Sequence, residues 1–231
     1  MSDDPPILLE TKGLRGRTFA APDLRVVGGE TVVVIVSSRN MALEWADCAL
    51  GLASPMAGSS EILGCDPTRL PERQRLELMA RVAYVSPPGG NLLANLKVWE
   101  NIVFPAYYHQ GVPLDHELEA AVVEALRAAG FGEDWLDRLL PAPPDRLDPF
   151  ESRAVCLVRA ALVRPSLLFG EMLFDDLEPR HRRRLLALLS WMRARQPGLG
   201  VLLVAQSDDP EEEMGLIPAG QGRIITLEEK K

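Results

Sequence analysis

The chain has 231 residues, of which 47% are hydrophobic, and its formal net charge is -8 with a pI of about 5.0. A chain of this length can bury a sizeable core as one large domain or as a domain with a subdomain. The acidic balance argues against a nucleic-acid-binding protein, which needs a basic surface, and against direct binding to anionic lipid headgroups.

Five apolar runs of strand length follow one another along the chain. They are Thr31–Val36, Val82–Val85, Ser166–Phe169, Val201–Ala205 and the weaker Arg223–Leu227. Helix-forming segments separate most of these runs. Strands that alternate with helices predict a mostly parallel α/β sheet.

The first run opens a unit with the layout of a phosphate-binding loop. The β-branched run Thr31–Val36 is followed by the polar turn Ser37–Asn40 and by the helix-forming residues Met41–Leu50. The usual chemistry of such a loop is missing, because residues 30–50 contain neither glycine nor lysine.

The middle of the chain, residues 91–142, has helical periodicity throughout. Leu118, Val122 and Leu126 lie along one apolar stripe, with Asp115 placed to cap the helix and Gly130 placed to end it. This segment therefore predicts an all-helical insert between the strands.

Four segments in series resemble the nucleotide-binding subunits of ABC transporters, the ATP-binding cassette family, over nearly the full length of the chain. The segments are the Q-loop-like RVAYVSPPGGNLLANLKVWENIVFP, the signature-like LDPFESRAVCLVRAALVRPSLLFGEMLFDDLEP, the switch-like VLLVAQSDDPEE and the closing GRIITLEE. The resemblance implies an α/β fold with a P-loop-NTPase-like ABC ATPase core, a mostly parallel sheet and an all-helical subdomain. The chain is then one domain, 1–231, with a core of 1–86 and 160–231 and a helical subdomain of about 87–159.

The residues that would contact nucleotide depart from the pattern of this family. The resemblance puts the phosphate loop on Val36–Glu44, with Ala42 in place of the lysine that reaches the β- and γ-phosphates. Leu43 stands in place of the hydroxyl residue that binds magnesium. Glu44 adds a negative charge near the start of the helix, where phosphate would otherwise lie.

Glycines are also replaced in this loop. Val36, Arg39 and Met41 occupy the positions of the glycines that let backbone N–H groups curl around an anion. The loop is therefore expected to be a degenerate phosphate loop that holds no cofactor.

Three further positions of the family pattern also lack the residue that would contact nucleotide or magnesium. The Q-loop glutamine, the Walker B aspartate and the switch histidine correspond to Pro87, Gly170 and Gln206. Only Glu171, at the catalytic-glutamate position, keeps its residue type, and we expect it to be vestigial. No metal site is expected.

The family's signature segment reads Leu147-Asp148-Pro149-Phe150-Glu151 in this chain. In the family, this segment donates N–H and hydroxyl groups to the γ-phosphate of ATP held by the opposite subunit. Asp148 and Glu151 instead bring negative charge, and two like charges about 4 Å apart cost on the order of 4 kcal/mol at an effective dielectric near 20. Pro149 has no N–H to donate, and Phe150 fills space that glycine leaves open.

These replacements predict a catalytically inactive, ATP-binding-deficient subunit with a structural or regulatory role in a membrane transporter complex. The residues NLLANLKVWENIVFP of the Q-loop-like segment resemble those of importers that move lipids with MCE-domain partners. One alternative is a divergent ATPase that binds nucleotide at a non-standard site. Another is a soluble regulatory module that has no membrane partner.

The resemblance also implies partners. We expect a membrane-embedded permease subunit and a second ABC ATPase subunit, either an active homologue or another copy of this chain, and no nucleic acid. The expected groove for the permease is lined by Pro87, Gly89, Gly90, Asn91, Leu92, Leu93 and Trp99. The acidic N-terminus and the absence of a long apolar run predict a cytoplasmic protein, held at the inner membrane only through protein partners.

Overall fold

The computed structural model describes residues 4–86, 92–207, 214–217 and 221–229. The strands are β1 (Ile7–Arg15), β2 (Phe19–Ala20), β3 (Leu24–Val27), β4 (Thr31–Val36), β5 (Ala57–Ile62), β6 (Val82–Val85), β7 (Leu167–Glu171), β8 (Gly200–Gln206), β9 (Gly222–Thr226) and β10 (Glu228–Glu229). The helices are α1 (Arg39–Ala49), α2 (Glu72–Met79), α3 (Val98–Gln110), α4 (His116–Ala128), α5 (Glu133–Leu139), α6 (Pro149–Leu162) and α7 (Pro179–Arg195). Short 3₁₀ turns lie at Pro144–Arg146 and Met214–Leu216.

The chain divides into two compact units. Unit 1 comprises Met1–Tyr84, Ser166–Leu173 and Pro197–Lys231, and unit 2 comprises Val85–Pro165 and Phe174–Gln196. The sheets belong to unit 1 and the helices α3 to α7 belong to unit 2. The limits of about 87–159 that the sequence gives for a helical subdomain stay a prediction.

The central sheet of unit 1 has the strand order β6-β7-β8-β4-β9. Strand β4 pairs in parallel with β8 and β9, and β7 pairs in parallel with β8. All six residues of β4 are buried, as expected for a run of β-branched side chains covered on both faces. The predicted α/β fold with a mostly parallel sheet and a helical region is therefore confirmed.

The second sheet of unit 1 is antiparallel and was not predicted from the sequence. It has the order β10-β2-β1-β3, with β5 also paired to β1. The register of β1 shifts between Ile7 and Leu9 against β3, and between Lys12 and Arg15 against β5. These irregularities break the alternation of apolar and polar residues that would mark a half-buried strand.

Helix α1 packs into the core of unit 1. Trp45 is fully buried, and the centroid of its ring lies 5.7 Å from that of Phe169 on β7. The chain leaves the helix at Gly51, whose φ of +68° lies in the left-handed region. A Cβ atom at this position would lie 2.4 Å from Cγ of Pro67, so the close approach also requires glycine.

Unit 2 is a helical assembly in which α6 packs against α3, α4 and α7. The predicted helix stripe of Leu118, Val122 and Leu126 is buried in α4, and the Asp115 side chain caps that helix by accepting from Glu117 and Leu118. The chain turns after α4 at Gly130, which has a φ of +78°. Across the ranges that the structure describes, no helix is both long enough and apolar enough to cross a membrane.

Candidate functional site

The carboxyl ends of the parallel strands bring three sequence-predicted regions of unit 1 to one edge of the central sheet. Val36 at the end of β4 pairs with Gln206 at the end of β8, and Glu171 at the end of β7 pairs with Val204. The Gln206 side-chain amide lies 3.5 Å from the Ser37 carbonyl oxygen, just after β4. In open parallel α/β sheets, ligands bind at this edge.

The first turn of α1, Arg39–Ala42, begins at the same edge and carries no acidic residue. Ser38 caps the helix, and its hydroxyl oxygen accepts the N–H of Met41 at 3.3 Å. Arg39 and Asn40 are exposed. Because the N–H groups of a first turn point outward and the helix dipole is positive there, this end favours an anion, and the Arg39 guanidinium adds charge of the right sign.

The other residues of the expected phosphate loop differ in where their side chains lie. Val36, Met41 and Ala42 are fully buried in the core of unit 1, whereas 40% of Leu43 is exposed. A side chain at position 42 is therefore directed into the core. This turn does carry a cationic side chain, that of Arg39, which stands at a position where the family pattern has a glycine.

Glu44 lies one turn further along α1, and its carboxylate faces the hairpin turn between β1 and β2. It accepts hydrogen bonds from the N–H of Arg17 at 2.6 Å, the N–H of Thr18 at 2.9 Å and the Thr18 hydroxyl at 2.6 Å. Burial alone would raise the pKa of Glu44, but these hydrogen bonds and the Arg17 charge lower it to about 2. The charge expected to oppose phosphate is therefore engaged by the hairpin turn.

Glu171, at the position of the family's catalytic glutamate, is 1% exposed. The Tyr84 hydroxyl donates a hydrogen bond to its Oε2, and the Tyr84 ring packs edge-on against Phe169 at 5.6 Å between centroids. The carboxylate is thus held inside unit 1 by a tyrosine that the sequence reasoning did not single out. The signal available in the sequence was Tyr84 itself, a hydroxyl-bearing residue on the strand that opens the Q-loop-like segment.

The resemblance implies a magnesium ion at this edge, and the donor atoms present do not fit one. Leu43 and Gly170 replace an oxygen-bearing side chain at two ligand positions, and magnesium requires oxygen ligands in octahedral geometry. Among the described residues, no three His, Cys, Asp or Glu side chains lie together in a way that could hold a metal ion.

The signature-like segment forms the start of α6 in unit 2, and its two acidic side chains make local contacts. Asp148 Oδ1 accepts the N–H of Glu151 at 2.7 Å, and Glu151 Oε2 accepts the N–H of Asp148 at 3.0 Å, which is a capping box. The other oxygen of Glu151 accepts from the indole N–H of Trp135 at 2.5 Å. Both carboxylates therefore close this helix end.

Phe150 in the same segment is buried in unit 2, where it joins an aromatic cluster. Its ring stacks on the His181 ring, with 4.4 Å between the centroids. The Arg184 guanidinium lies 4.4 Å from the centroid of the Phe150 ring and 4.7 Å from that of the Phe131 ring. Burial lowers the pKa of Arg184, while the Asp148 and Glu151 charges oppose that change. Phe150 therefore acts as a packing residue of unit 2.

The expected permease groove is described only in part. Pro87, Gly89, Gly90 and Asn91 lie outside the described residues. Leu92 and Trp99 are half-buried, and Leu93 is 46% exposed. A cavity of about 320 Å³ in unit 2 opens beside Trp99, lined also by Lys97, Glu119, Val123, Leu140 and Pro141.

Comparisons with known proteins match the chain over nearly its whole length. The methionine import ATP-binding protein MetN of Mesorhizobium japonicum is 31% identical over 229 residues, which is 98% of this chain and 59% of that protein. The chain belongs to the ATP-binding cassette family. A putative ABC transporter ATP-binding protein of Methanopyrus kandleri is 28% identical over 208 residues, 90% of this chain and 71% of that protein.

The solved structures agree on the fold of this cassette. A dimeric post-hydrolysis state of the ATP-binding cassette MJ0796 bound to ADP and Pi superposes with a TM-score of 0.75 at 17% identity, covering 97% of this chain and 98% of that one. The chain matches no protein-family model. It spans between 53% and 59% of the length of three MetN relatives.

These relatives correct the functional expectation drawn from the sequence. The prediction of a catalytically inactive, ATP-binding-deficient pseudoenzyme is wrong, because the relatives that match almost the entire chain are named as ATP-binding proteins of transporters. The prediction of an MCE-type lipid transporter is also unsupported, since the MetN relatives are named for methionine import. That prediction rested on residue types at the family's nucleotide positions, which include the phosphate loop, Pro87, Gly170, Gln206 and the signature-like segment.

Proposed function

We propose that this cassette is the ATP-binding subunit of an ATP-driven transport complex. The observation that carries the proposal is the match over 98% of the chain to a protein named for ATP binding in methionine import. A match of that extent means that the site lies within the same fold as in that relative. The proposal concerns ATP binding and not the transported substrate, because the chain spans only 59% of that relative.

Within the cassette, we propose that the nucleotide phosphates lie at the start of α1. Three features support this position: the outward N–H groups of the first turn, the absence of acidic residues from Arg39–Ala42, and the exposed Arg39. A guanidinium binds phosphate through two parallel hydrogen bonds, so Arg39 can supply the contact that a lysine makes elsewhere. Nucleotide binding then uses a non-standard cation.

A melting experiment on the purified chain tests the proposal. A ligand at one hundred times its Kd adds about 2.7 kcal/mol to the free energy of unfolding. We expect ATP to raise the melting temperature in a concentration-dependent way, and adenosine at the same concentrations to leave it unchanged, because the phosphates carry the contact. Equal melting curves with and without ATP up to millimolar concentration would overturn the assignment.

We also propose a permease partner that docks beside Trp99, which holds the cassette at the membrane. The cavity there combines apolar walls, Val123, Leu140 and Pro141, with one charge of each sign at its rim. An amphipathic helix places its apolar face in a groove of this composition. The second subunit of the complex is a further cassette, either a homologue or another copy of this chain.

Replacement of one groove residue tests the docking surface. Trp99→Asp puts a charge into the apolar cavity, and we expect it to abolish co-purification of the chain with its permease. The matched control is Leu76→Asp on α2 of unit 1, where the side chain is already 63% exposed. If Trp99→Asp still co-purifies as well as Leu76→Asp, the permease docks elsewhere.

A further inference from the structure

The Glu44 carboxylate joins two elements of unit 1 that are distant in sequence. Glu44 lies on α1, and its three hydrogen-bond donors belong to Arg17 and Thr18 in the hairpin turn between β1 and β2. The Arg17 guanidinium Nε also lies 3.5 Å from Glu44 Oε1. A single carboxylate thus receives hydrogen bonds from both the backbone and a side chain of the turn.

The approach of this turn to α1 depends on Gly16. A Cβ atom at position 16 would lie 2.9 Å from the carboxyl carbon of Glu44 and 2.3 Å from Cε1 of Phe19. Any larger residue would therefore push the turn away from Glu44 or displace the buried Phe19. The sequence Gly16-Arg17-Thr18 combines the space for the carboxylate with the donors that bind it.

The turn held by Glu44 forms one wall of a cavity of about 550 Å³. Arg17 and Thr18 lie on one side, Leu43, Asp47 and Cys48 of α1 lie on another, and the rest of the lining comes from Asn40, Glu44, Ala53, Ser54 and Met56. Cys48 is only 3% exposed although it lines this cavity. The cavity opens beside the exposed start of α1.

We propose that Glu44 is a positioning residue whose carboxylate holds the Gly16–Thr18 turn in place as the wall of this cavity. Without the carboxylate, the N–H groups of Arg17 and Thr18 lose their acceptor and the turn moves into solvent. The shape of the cavity beside α1 then depends on one side chain of the helix. This inference does not require that the cavity bind nucleotide, so it can fail or hold independently of the proposed function.

Thiol labelling of Cys48 tests the proposal. With the intact chain at a temperature well below its melting point, Glu44→Ala is expected to raise the maleimide labelling rate of Cys48 by about tenfold, as local opening becomes easier. Thr18→Val removes one of the three hydrogen bonds without changing any charge, and we expect a smaller rise. The labelling rate of Cys156, which is fully buried in unit 2, should stay at the wild-type value in both variants.

A charge control separates movement of the turn from a change in thiol reactivity. Burial raises the pKa of Cys48, and the nearby Glu44 and Asp47 charges raise it further. Asp47→Asn therefore removes a comparable charge without touching the turn, and its Cys48 rate should stay within about twofold of wild type. The proposal is overturned if Asp47→Asn accelerates labelling as much as Glu44→Ala, if Thr18→Val has no effect, or if Cys156 accelerates in parallel with Cys48.

Discussion

Helices α1 and α6 both begin in segments where the family resemblance expects contacts with phosphate, and their first turns are built differently. The first turn of α1 has no acidic residue and has exposed Arg39 and Asn40. The first turn of α6 has Asp148 as its cap, Pro149 without an N–H group, and Glu151 closing a capping box. Both turns have lost the residues typical of the family.

The two ends therefore differ in the sign of their local charge. At α1 the positive end of the helix dipole and the Arg39 charge have the same sign, whereas at α6 two carboxylates neutralise the positive end of the dipole and accept the N–H groups of Asp148 and Glu151. Loss of a family motif thus has opposite consequences at the two places. We therefore expect an anion site at the start of α1 and none at the acidic capping box of α6.

Reversing the charge at the start of α1 should have the largest effect on the affinity for ATP. Arg39→Glu turns an attractive side chain into a repulsive one, so we expect the Kd for ATP to rise by at least about tenfold. Titration calorimetry of the purified variant measures this change. The control is Arg73→Glu on α2, another exposed arginine, and equal affinities of the two variants would remove Arg39 from the site.

Glu44 is an acidic residue of α1 whose carboxylate is hydrogen-bonded to the hairpin turn between β1 and β2. Glu44→Gln is expected to lower the free energy of unfolding by about 2 kcal/mol at neutral pH, since charge-assisted hydrogen bonds are replaced by weaker ones. The pKa of Glu44 in the folded chain is about 2 against an ordinary 4.5. The unfolded chain therefore takes up the proton first as the pH falls.

The stabilisation by Glu44 is accordingly complete above about pH 4.5 and is lost as the pH falls through about 2. Denaturant unfolding of wild type and Glu44→Gln should show a difference that is constant near neutral pH and shrinks in acid. A difference that grows in acid would contradict the assigned hydrogen bonds.

The cap of α6 predicts an effect on stability without an effect on nucleotide. Asp148→Ala removes the acceptor for the Glu151 N–H and should lower the free energy of unfolding by about 1 kcal/mol. The affinity for ATP should stay at the wild-type value, because this helix end does not bind phosphate within the chain. A change in ATP affinity of the isolated chain would place α6 in the site.

The cap of α1 should contribute less. The hydrogen bond from the Met41 N–H to the Ser38 hydroxyl is 3.3 Å long, against 2.7 Å for the corresponding bond in α6. We expect Ser38→Ala to lower the free energy of unfolding by about 0.5 kcal/mol, measured by the same denaturant titration. A loss larger than that of Asp148→Ala would mean that the two caps have been ranked wrongly.

The sequence predicted the parts of this fold that depend on local pattern. The run Thr31–Val36 and the helix capped by Asp115 were predicted with their limits, because β-branched runs and capped stripes are local signals. The antiparallel sheet was missed because its longest strand, β1, has irregular register against both of its main partners.

The candidate site was harder to predict for a physical reason. The contacts that define it join residues far apart in sequence, such as Tyr84 with Glu171 and Thr18 with Glu44. A motif alignment gives each of these positions a role by residue type, but it cannot tell where a carboxylate finds its donors. Glu44 therefore looked like a charge that opposes phosphate, although its carboxylate accepts hydrogen bonds from the N–H groups of Arg17 and Thr18.

The most direct test of this account is to follow the backbone amide resonances of the wild-type chain while ATP is added. We predict saturable chemical-shift changes for the amides of Ser38, Arg39 and Asn40 at the start of α1, and none for Phe150 and Glu151 at the start of α6. Shifts at α6 without shifts at α1, or no shifts at either helix up to millimolar ATP, would contradict the claim that this cassette binds nucleotide at α1.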